Sequence, residues 1–266
     1  MRDIAVAVAC YNNEAEVIEF ASNLSRQSII NNIQLLVTCN AVKNFESFQE
    51  EIRRTLPSAC VFNPGKNLGY LPGCLYGVEK SGVPYSWVMI SNTDIEFRQY
   101  DFFEKAVKDV REDIWCIGPD IELKATGVHQ NPFLKERPTK LKVATWRIAY
   151  SCYPLFWFYF KLYDIKPKKI VDEELQSEDV YAVHGSCFLL RKECLQKVRE
   201  EKHGIFMYGE ELWVAEIVRE NGKKCRFNNE VGIFHNENQV TGKIGGKRKQ
   251  QWFKQSINYM VKRFYS

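Results

Sequence analysis

Residues 87–97 read WVMISNTDIEF. Trp87 to Ser91 have the apolar, partly aromatic and β-branched make-up of a buried strand. Asn92, Thr93 and Asp94 follow at once. In an open α/β sheet, ligands bind just beyond the carboxyl ends of the strands. A carboxylate there, two residues from an amide, can hold a divalent cation together with the phosphates bound to it. Magnesium and manganese prefer oxygen ligands, and such sites use one or two carboxylates plus substrate phosphates. The other reading of the three polar residues is a turn that caps the next helix.

The chain before this strand alternates. Ile4 to Ala9 is a strand, turned by Tyr11, Asn12 and Asn13 into a helix with Val17, Phe20, Ala21 and Leu24 on one face. Ile33 to Thr38 is a second strand, ending at Cys39 and Asn40. Asn44 can cap a helix carrying Phe45, Phe48, Ile52 and Leu56. Ala59 to Phe62 is a third strand, and Asn63-Pro64-Gly65 a turn signal. KNLGYLPG then opens a helix to about Gly82. This alternation means parallel strands with crossover helices. After Asp94 comes a helix with Phe102, Phe103, Ala106, Val107 and Val110, then a strand at Trp115 to Gly118. The alternation fades between 120 and 178, where the aromatic run YSCYPLFWFYF lies. It returns at Tyr181 to Arg191, YAVHGSCFLLR, read as one strand. A helix from about Glu210 to Asn221 stops at Gly222. Val231 to Phe234 is a last short strand that delivers His235. From Gln250 to Phe264, the residues Phe253, Ile257, Met260, Val261 and Phe264 share one helical face.

The 266 residues suffice for one large domain or two small ones. The 45% hydrophobic and 26% charged composition is that of an ordinary globular protein. Nine cysteines without a CxxC pair point to a reducing compartment, with thiols used as small apolar side chains. The segment MRDIAVAVAC has too short an apolar run for a signal peptide and enters a strand pattern directly. The run from Ile148 to Leu162 is broken by Pro154 and Lys161, too short and interrupted for a membrane-spanning helix. The net charge of +4 is uneven, because Thr241 to Ser266 hold seven Lys or Arg and no acid. A basic tail suits an anionic partner such as a membrane surface. No recognition motif or aromatic RNA platform supports nucleic-acid binding.

The order of motifs resembles the inverting GT-A-fold glycosyltransferases of family 2, in particular the rhamnosyltransferase-like branch of surface polysaccharide synthesis. The resemblance runs from about Ile4 to His235. It rests on VACYNN after the first strand, NLGY at Asn67 to Tyr70, SNTD at Ser91 to Asp94, HGSCFLLR at His184 to Arg191, FMYGEE at Phe206 to Glu211, and IFH at Ile233 to His235. Each piece is short, and together they follow the family's order. The resemblance implies an α/β domain with a Rossmann-like, mostly parallel central sheet and flanking helices. A donor-binding half would cover about 1–119 and an acceptor half about 120–238. A basic amphipathic tail would cover 239–266. It also implies a nucleotide-diphospho-sugar donor, UDP- or dTDP-linked ahead of GDP-linked, a divalent cation (Mn2+ or Mg2+) and a glycan or lipid-linked acceptor. The expected location is cytoplasmic, peripheral at the inner face of the membrane through the tail.

Residue by residue, the resemblance puts Asp94 and His235 on the metal, with Asn92 replacing the first acid of an Asp-x-Asp motif. Where the family's second strand ends in an acid facing the base, this chain has Cys39-Asn40, so base recognition falls to Asn40 or to backbone. Tyr11 is a base or ribose contact or an aromatic packing residue. Asn67, Gly69 and Tyr70 present backbone N–H groups to a phosphate or sugar, or form a turn using a positive φ. His184, Gly185 and Trp213 are expected on the acceptor side. Glu210 and Glu211 either answer a helix dipole or supply the general base, with Glu211 ahead of Glu210. The aromatic run 150–163 is domain packing or a lipid-facing surface. Two rivals stand beside transfer. A sugar nucleotidyltransferase would carry a glycine-rich loop and a basic residue after the first strand, and VACYNNEAE has neither. A catalytically weak nucleotide-sugar or glycan-binding protein of the same fold fits the missing first acid.

Overall fold

The computed structural model describes residues 3–165, 175–201, 204–236 and 245–266. In chain order the elements are β1 (Ile4–Tyr11), α1 (Glu14–Leu24), β2 (Ile33–Ala41), α2 (Phe45–Thr55), β3 (Cys60–Phe62), α3 (Leu71–Ser81), β4 (Trp87–Ser91), β5 (Ile95–Phe97) and α4 (Phe102–Val107). There follow β6 (Ile114–Leu123), α5 (Lys140–Ala149), α6 (Tyr153–Ile165), β7 (Glu178–Val180), β8 (Cys187–Arg191), α7 (Lys192–Glu200), α8 (Glu210–Glu220), β9 (Lys224–His235) and α9 (Gly246–Phe264).

Among the described residues the strands form one sheet in the order β3-β2-β1-β4-β8-β6-β9-β5, with β7 paired to β9. The first four of these neighbours are parallel, as the alternating sequence requires. Antiparallel β8 enters beside β4, with Ser91 opposite Cys187. The period of two along each strand divides the core between two faces. Val6, Val8, Leu35, Val37 and Met89 join the cluster under α1, α2 and α4. Ala5, Ala7, Leu36, Val88 and Ile90 join the cluster under α3, α7 and α8. A third, separate cluster of Val143, Tyr150, Phe156, Ile257 and Tyr265 lies between α5, α6 and α9.

Local chemistry sets the helix ends. Asn44 caps α2 by accepting from the Ser47 backbone N–H at 3.1 Å. Glu14 and Glu16 occupy the first turn of α1, where acids favour the dipole. Gly222 follows α8 at φ +66.

The structure corrects four expectations. The stretch 120–178 is not irregular, since it contains α5 and α6. Their apolar residues are too evenly distributed around each axis to show one face in the sequence. YAVHGSCFLLR is not one strand, because only Cys187–Arg191 pairs along β4. In its first half the His184 N–H donates to Asn131 Oδ1 and the Gly185 carbonyl accepts from the Tyr70 hydroxyl, so these backbone groups are diverted from a ladder. The last strand is longer than Val231 to Phe234. Polar Asn228, Asn229 and Glu230 hide a strand that follows β6 throughout, with register shifts at Ile114/Cys116 and Pro119/Asp120. The basic tail is not a free amphipathic strip. Ile257 and Met260 are buried, and Phe253 and Val261 pack onto the third cluster. The apolar stripe expected to meet a membrane is therefore covered, Ile257 by α5 and α6 and Met260 by the cluster under α8.

β6 runs across the expected divide between residues 119 and 120, so both halves share one sheet. The expected boundary at 238/239 lies outside the described residues. Among the described residues no helix is long and apolar enough to cross a membrane.

Candidate active site

The carboxyl ends of β1, β2 and β4 and the loop entering antiparallel β8 meet at one edge of the sheet. There they line a cleft of about 1520 Å³ that extends to α5, α6 and α9. Tyr11, Asn40, Asn67, Gly69, Tyr70, Asn92, Asp94, His184, Gly185, Glu210, Glu211 and His235 all face it.

The turn at Asn92-Thr93-Asp94 is tied on both sides. The Asn92 N–H donates to the Ser186 carbonyl at 2.7 Å. The Thr93 hydroxyl bonds Glu16, and Asn13 Nδ2 donates to the same hydroxyl at 2.8 Å. β5 pairs with β9 so that Ile95 faces His235, and the Asn236 N–H donates to the Asp94 carbonyl at 2.8 Å. This pairing brings His235 Nε2 to 3.2 Å from Asp94 Oδ1, the two side chains being 4% and 10% exposed.

The arrangement fits a divalent cation. Gln130 Oε1 lies 2.7 Å from His235 Nδ1, so Nδ1 is the protonated nitrogen and donates. Nε2 is then the nitrogen turned to the Asp94 carboxylate, so a cation between the two would take one ligand from each. Adjacent ligands of an octahedral ion with bonds of about 2.1 Å stand about 3.0 Å apart. Gln130 supplies the outer hydrogen bond that usually orients a ligating histidine. Among the described residues no group of three or more His, Cys, Asp or Glu is placed to hold an ion. Such a site is completed by donor oxygens rather than by the protein.

The NLGY loop is held by Asn40. Asn40 Nδ2 donates to the Gly69 carbonyl at 2.8 Å and Oδ1 accepts from the Leu68 N–H at 3.0 Å. Both ends of the amide are thus engaged with the loop, so Asn40 shapes that loop. Asn67 Oδ1 accepts from the Gly69 N–H at 2.9 Å. Gly69 has φ +87, and a Cβ there would stand 1.9 Å from the Phe206 carbonyl oxygen. A side chain is excluded by conformation and by space. Tyr70 takes its N–H to that same carbonyl at 3.1 Å and its hydroxyl to Gly185 O at 2.9 Å. It pins three loops together.

His184 Nδ1 accepts from the Ser186 N–H at 3.2 Å. Burial first, and His235 second, push its pKa down to about 3, so it is neutral. Gly185 is the point where the acid pair closes in, since a Cβ there would meet Glu211 Oε2 at 2.9 Å. Trp213 is corrected outright. It is fully buried in the cluster under α8 and does not line the cleft. It stands about one turn deeper along α8 than Glu210, past the cleft edge and within that cluster. Arg219 is not part of the site either. It and Arg137 each reach the buried Glu216 carboxylate at 2.7 Å, which fastens α8 to the segment before α5.

Glu210 and Glu211 start α8 after Gly209, which takes φ +84. Glu210 is buried, and its Oε2 has no hydrogen-bond partner among the described residues. Burial, with the Glu211 charge as a second cause, pushes Glu210 up to about 8. Burial raises Glu211 as well. Two adjacent carboxyls in such a place share one proton. The more enclosed Glu210, pushed up to about 8, is the member that holds it.

This has a consequence for stability. A glutamate raised from about 4.3 in the unfolded chain to about 8 binds its proton more tightly when folded. Its contribution is present in full below pH 4.3 and lost as pH rises to 8, at up to about 1.4 kcal/mol per pH unit. Glu210→Gln should flatten the fall of Tm between about pH 5 and 8 and raise Tm above wild type at pH 8. Parallel melting curves of the two proteins across that range are the check. Superimposable slopes would mean that Glu210 is ionised in the folded state.

Several contributors were invisible in the sequence. Gln130, Trp146, Tyr159, Arg248 and Trp252 come from the segment without periodicity or from the tail, and no local pattern marks them as cleft residues.

Neither a family model nor a curated protein sequence matches the chain. Solved structures do. GalNAc-T7, determined with UDP, GalNAc and Mn2+, superposes with a TM-score of 0.64 at 13% identity over 98% of this chain and 48% of that one. The mannosyltransferase PcManGT from Pyrobaculum calidifontis, in complex with GDP-Man and Mn2+, superposes with a TM-score of 0.57 at 12% identity over 98% of this chain and 70% of that one. This chain therefore spans about half the length of the GalNAc-T7 chain. Its fold is the GT-A fold of these two proteins, as the motif order led us to expect.

Proposed function

We propose that the protein transfers a sugar from a nucleotide-diphospho-sugar to a hydroxyl of a glycan or lipid-linked glycan, with inversion at the anomeric carbon. The observation that carries the reading is the meeting, in one cleft, of the His235–Asp94 pair and the buried Glu210–Glu211 pair. The likeness to one protein solved with UDP and another with GDP-Man, each with Mn2+, supports it. Placement in family 2 beside the rhamnosyltransferase-like enzymes, a preference for UDP- or dTDP-sugars and a role in surface polysaccharide synthesis follow from the motifs.

In this reading Asp94 and His235 would hold a divalent cation, which supplies charge neutralisation for the leaving diphosphate. The NLGY loop and the end of β1 hold the donor. Glu211 takes the proton from the acceptor hydroxyl as its oxygen attacks. The bond from the anomeric carbon to the acceptor oxygen forms while that to the diphosphate breaks and the diphosphate leaves with the electron pair. Glu210, kept protonated, avoids a second charge beside the base. Trp146, Tyr159 and Trp252 offer flat faces for an acceptor sugar along the far wall.

A nucleotide-sugar panel read by thermal shift, with and without Mn2+, tests the donor half. A donor at a hundredfold excess over Kd should stabilise the protein by about 2.7 kcal/mol, and more weakly without the ion. Turnover with a glycan acceptor tests the rest. Metal-dependent donor binding without turnover across an acceptor panel would assign the chain to the binding-protein class instead.

A further inference from the structure

Of the ten large apolar side chains exposed among the described residues, six lie on α5 and α6. They are Leu141, Ile148, Leu155, Trp157, Phe158 and Leu162, between 43% and 79% exposed. On α6, Leu155, Phe158 and Leu162 stand at i, i+3 and i+7, which makes one outward stripe. Leu141, Ala144 and Ile148 repeat that spacing on α5, one three-residue turn earlier. The inner residues of the same helices, Val143, Tyr150 and Phe156, are already buried against α9. The outer stripes are therefore apolar surface left over after the helices have packed. Contiguous apolar surface of this kind marks an interaction site.

The charges say what covers it. From Lys140 to Leu162 the chain has Lys140, Lys142, Arg147 and Lys161 and no acid. Lys161 lies over the Trp157 ring at 4.7 Å, and Lys254 of α9 donates to the Ser151 carbonyl in the turn between the helices at 2.9 Å. Cations bordering exposed Trp, Phe and Leu suit a phospholipid interface, where rings and methylenes enter the acyl boundary and ammonium groups meet anionic headgroups. We infer that the outer face of α5 and α6 docks the protein on an anionic lipid bilayer. The inner edge of the same helices, at Lys142, Trp146, Tyr159 and Phe160, lines the cleft. Docking therefore sets the far end of the cleft beside the lipid surface. The inference does not depend on sugar transfer, and its test uses no substrate.

The full chain is sedimented with phosphatidylcholine vesicles, with and without phosphatidylglycerol, over a salt series. Binding should require phosphatidylglycerol and weaken as salt rises. Trp157→Ser with Phe158→Ser should reduce partitioning by about tenfold or more, with an unchanged melting curve because both side chains are exposed. Lys140→Gln and Lys161→Gln should each reduce it by about fivefold. Trp157→Phe keeps the apolar surface and should still bind, while removing the fluorescence quenched by bromine-labelled acyl chains. Equal binding to both vesicle types, or undiminished binding by the serine double variant, overturns the inference. So does a wild-type dimer that this double variant dissolves, since the face would then belong to a second copy of the chain.

Discussion

Asp94→Asn should lower kcat/KM by about a thousandfold, the scale of losing the group that answers charge on the leaving diphosphate. The substitution keeps the shape of the side chain and removes its charge. The fold should survive, because the backbone hydrogen bond from Asn236 to the Asp94 carbonyl and the Thr93 contacts to Glu16 and Asn13 do not involve the carboxylate. Mn2+-dependent stabilisation by a nucleotide-diphosphate should fall with turnover, since few other protein groups can compensate. His235→Ala should do the same to a smaller degree, because a neutral nitrogen is lost and the carboxylate remains. A variant Asp94→Asn with near-normal, metal-stimulated turnover would place the diphosphate elsewhere in the cleft.

Glu211→Gln should lower kcat by about a hundredfold or more, as expected on losing a general base, and leave donor binding intact. The proposed mechanism gives the two acids different tasks. Glu210 is the more enclosed, and its unpartnered Oε2 makes an ionised form costly. Glutamine is close to a permanently protonated Glu210, so Glu210→Gln should retain most of kcat. The pH profile carries the same signature. Burial raises Glu211, so kcat/KM should fall on the acid side at a pH above the ordinary glutamate range. In Glu210→Gln that limb should stay in place, because burial sets it and a protonated Glu210 adds no charge beside Glu211. A reversed pattern, with Glu210→Gln the damaging change, would exchange the roles.

The parallel half of the sheet was legible because period-two and period-3.6 patterns, turn glycines and caps all agree there. Val17, Phe20, Ala21 and Leu24 are the buried residues of α1, as their spacing required. Asn44 caps α2 as its position suggested. The cleft residues at strand ends were legible for the same reason, since their position follows once the strands are placed. Trp213 was misplaced because adjacency to an acid pair says nothing about which side of a helix a residue takes. The third cluster was hidden for a different reason. α5 and α6 are apolar on more than one side, the inner sides for packing and the outer sides exposed. A helix with two apolar faces has no single stripe to read. Gln130 is hidden by being a loop residue whose task is set by a partner 105 positions away.

That third cluster also bears on how such a chain could diverge. The wall facing the parallel strands has a core of its own, joined to the sheet through α9, the Arg137–Glu216 pair and the close contact of Gly209 with Ser256. Substitutions within it are felt first by its own aromatic neighbours, while Asp94, His235 and the NLGY loop rest on the other two cores. Selection can therefore redraw the wall while the opposite side is inherited unchanged. Descendants of one ancestral chain could keep a common activated sugar and part company over what receives it.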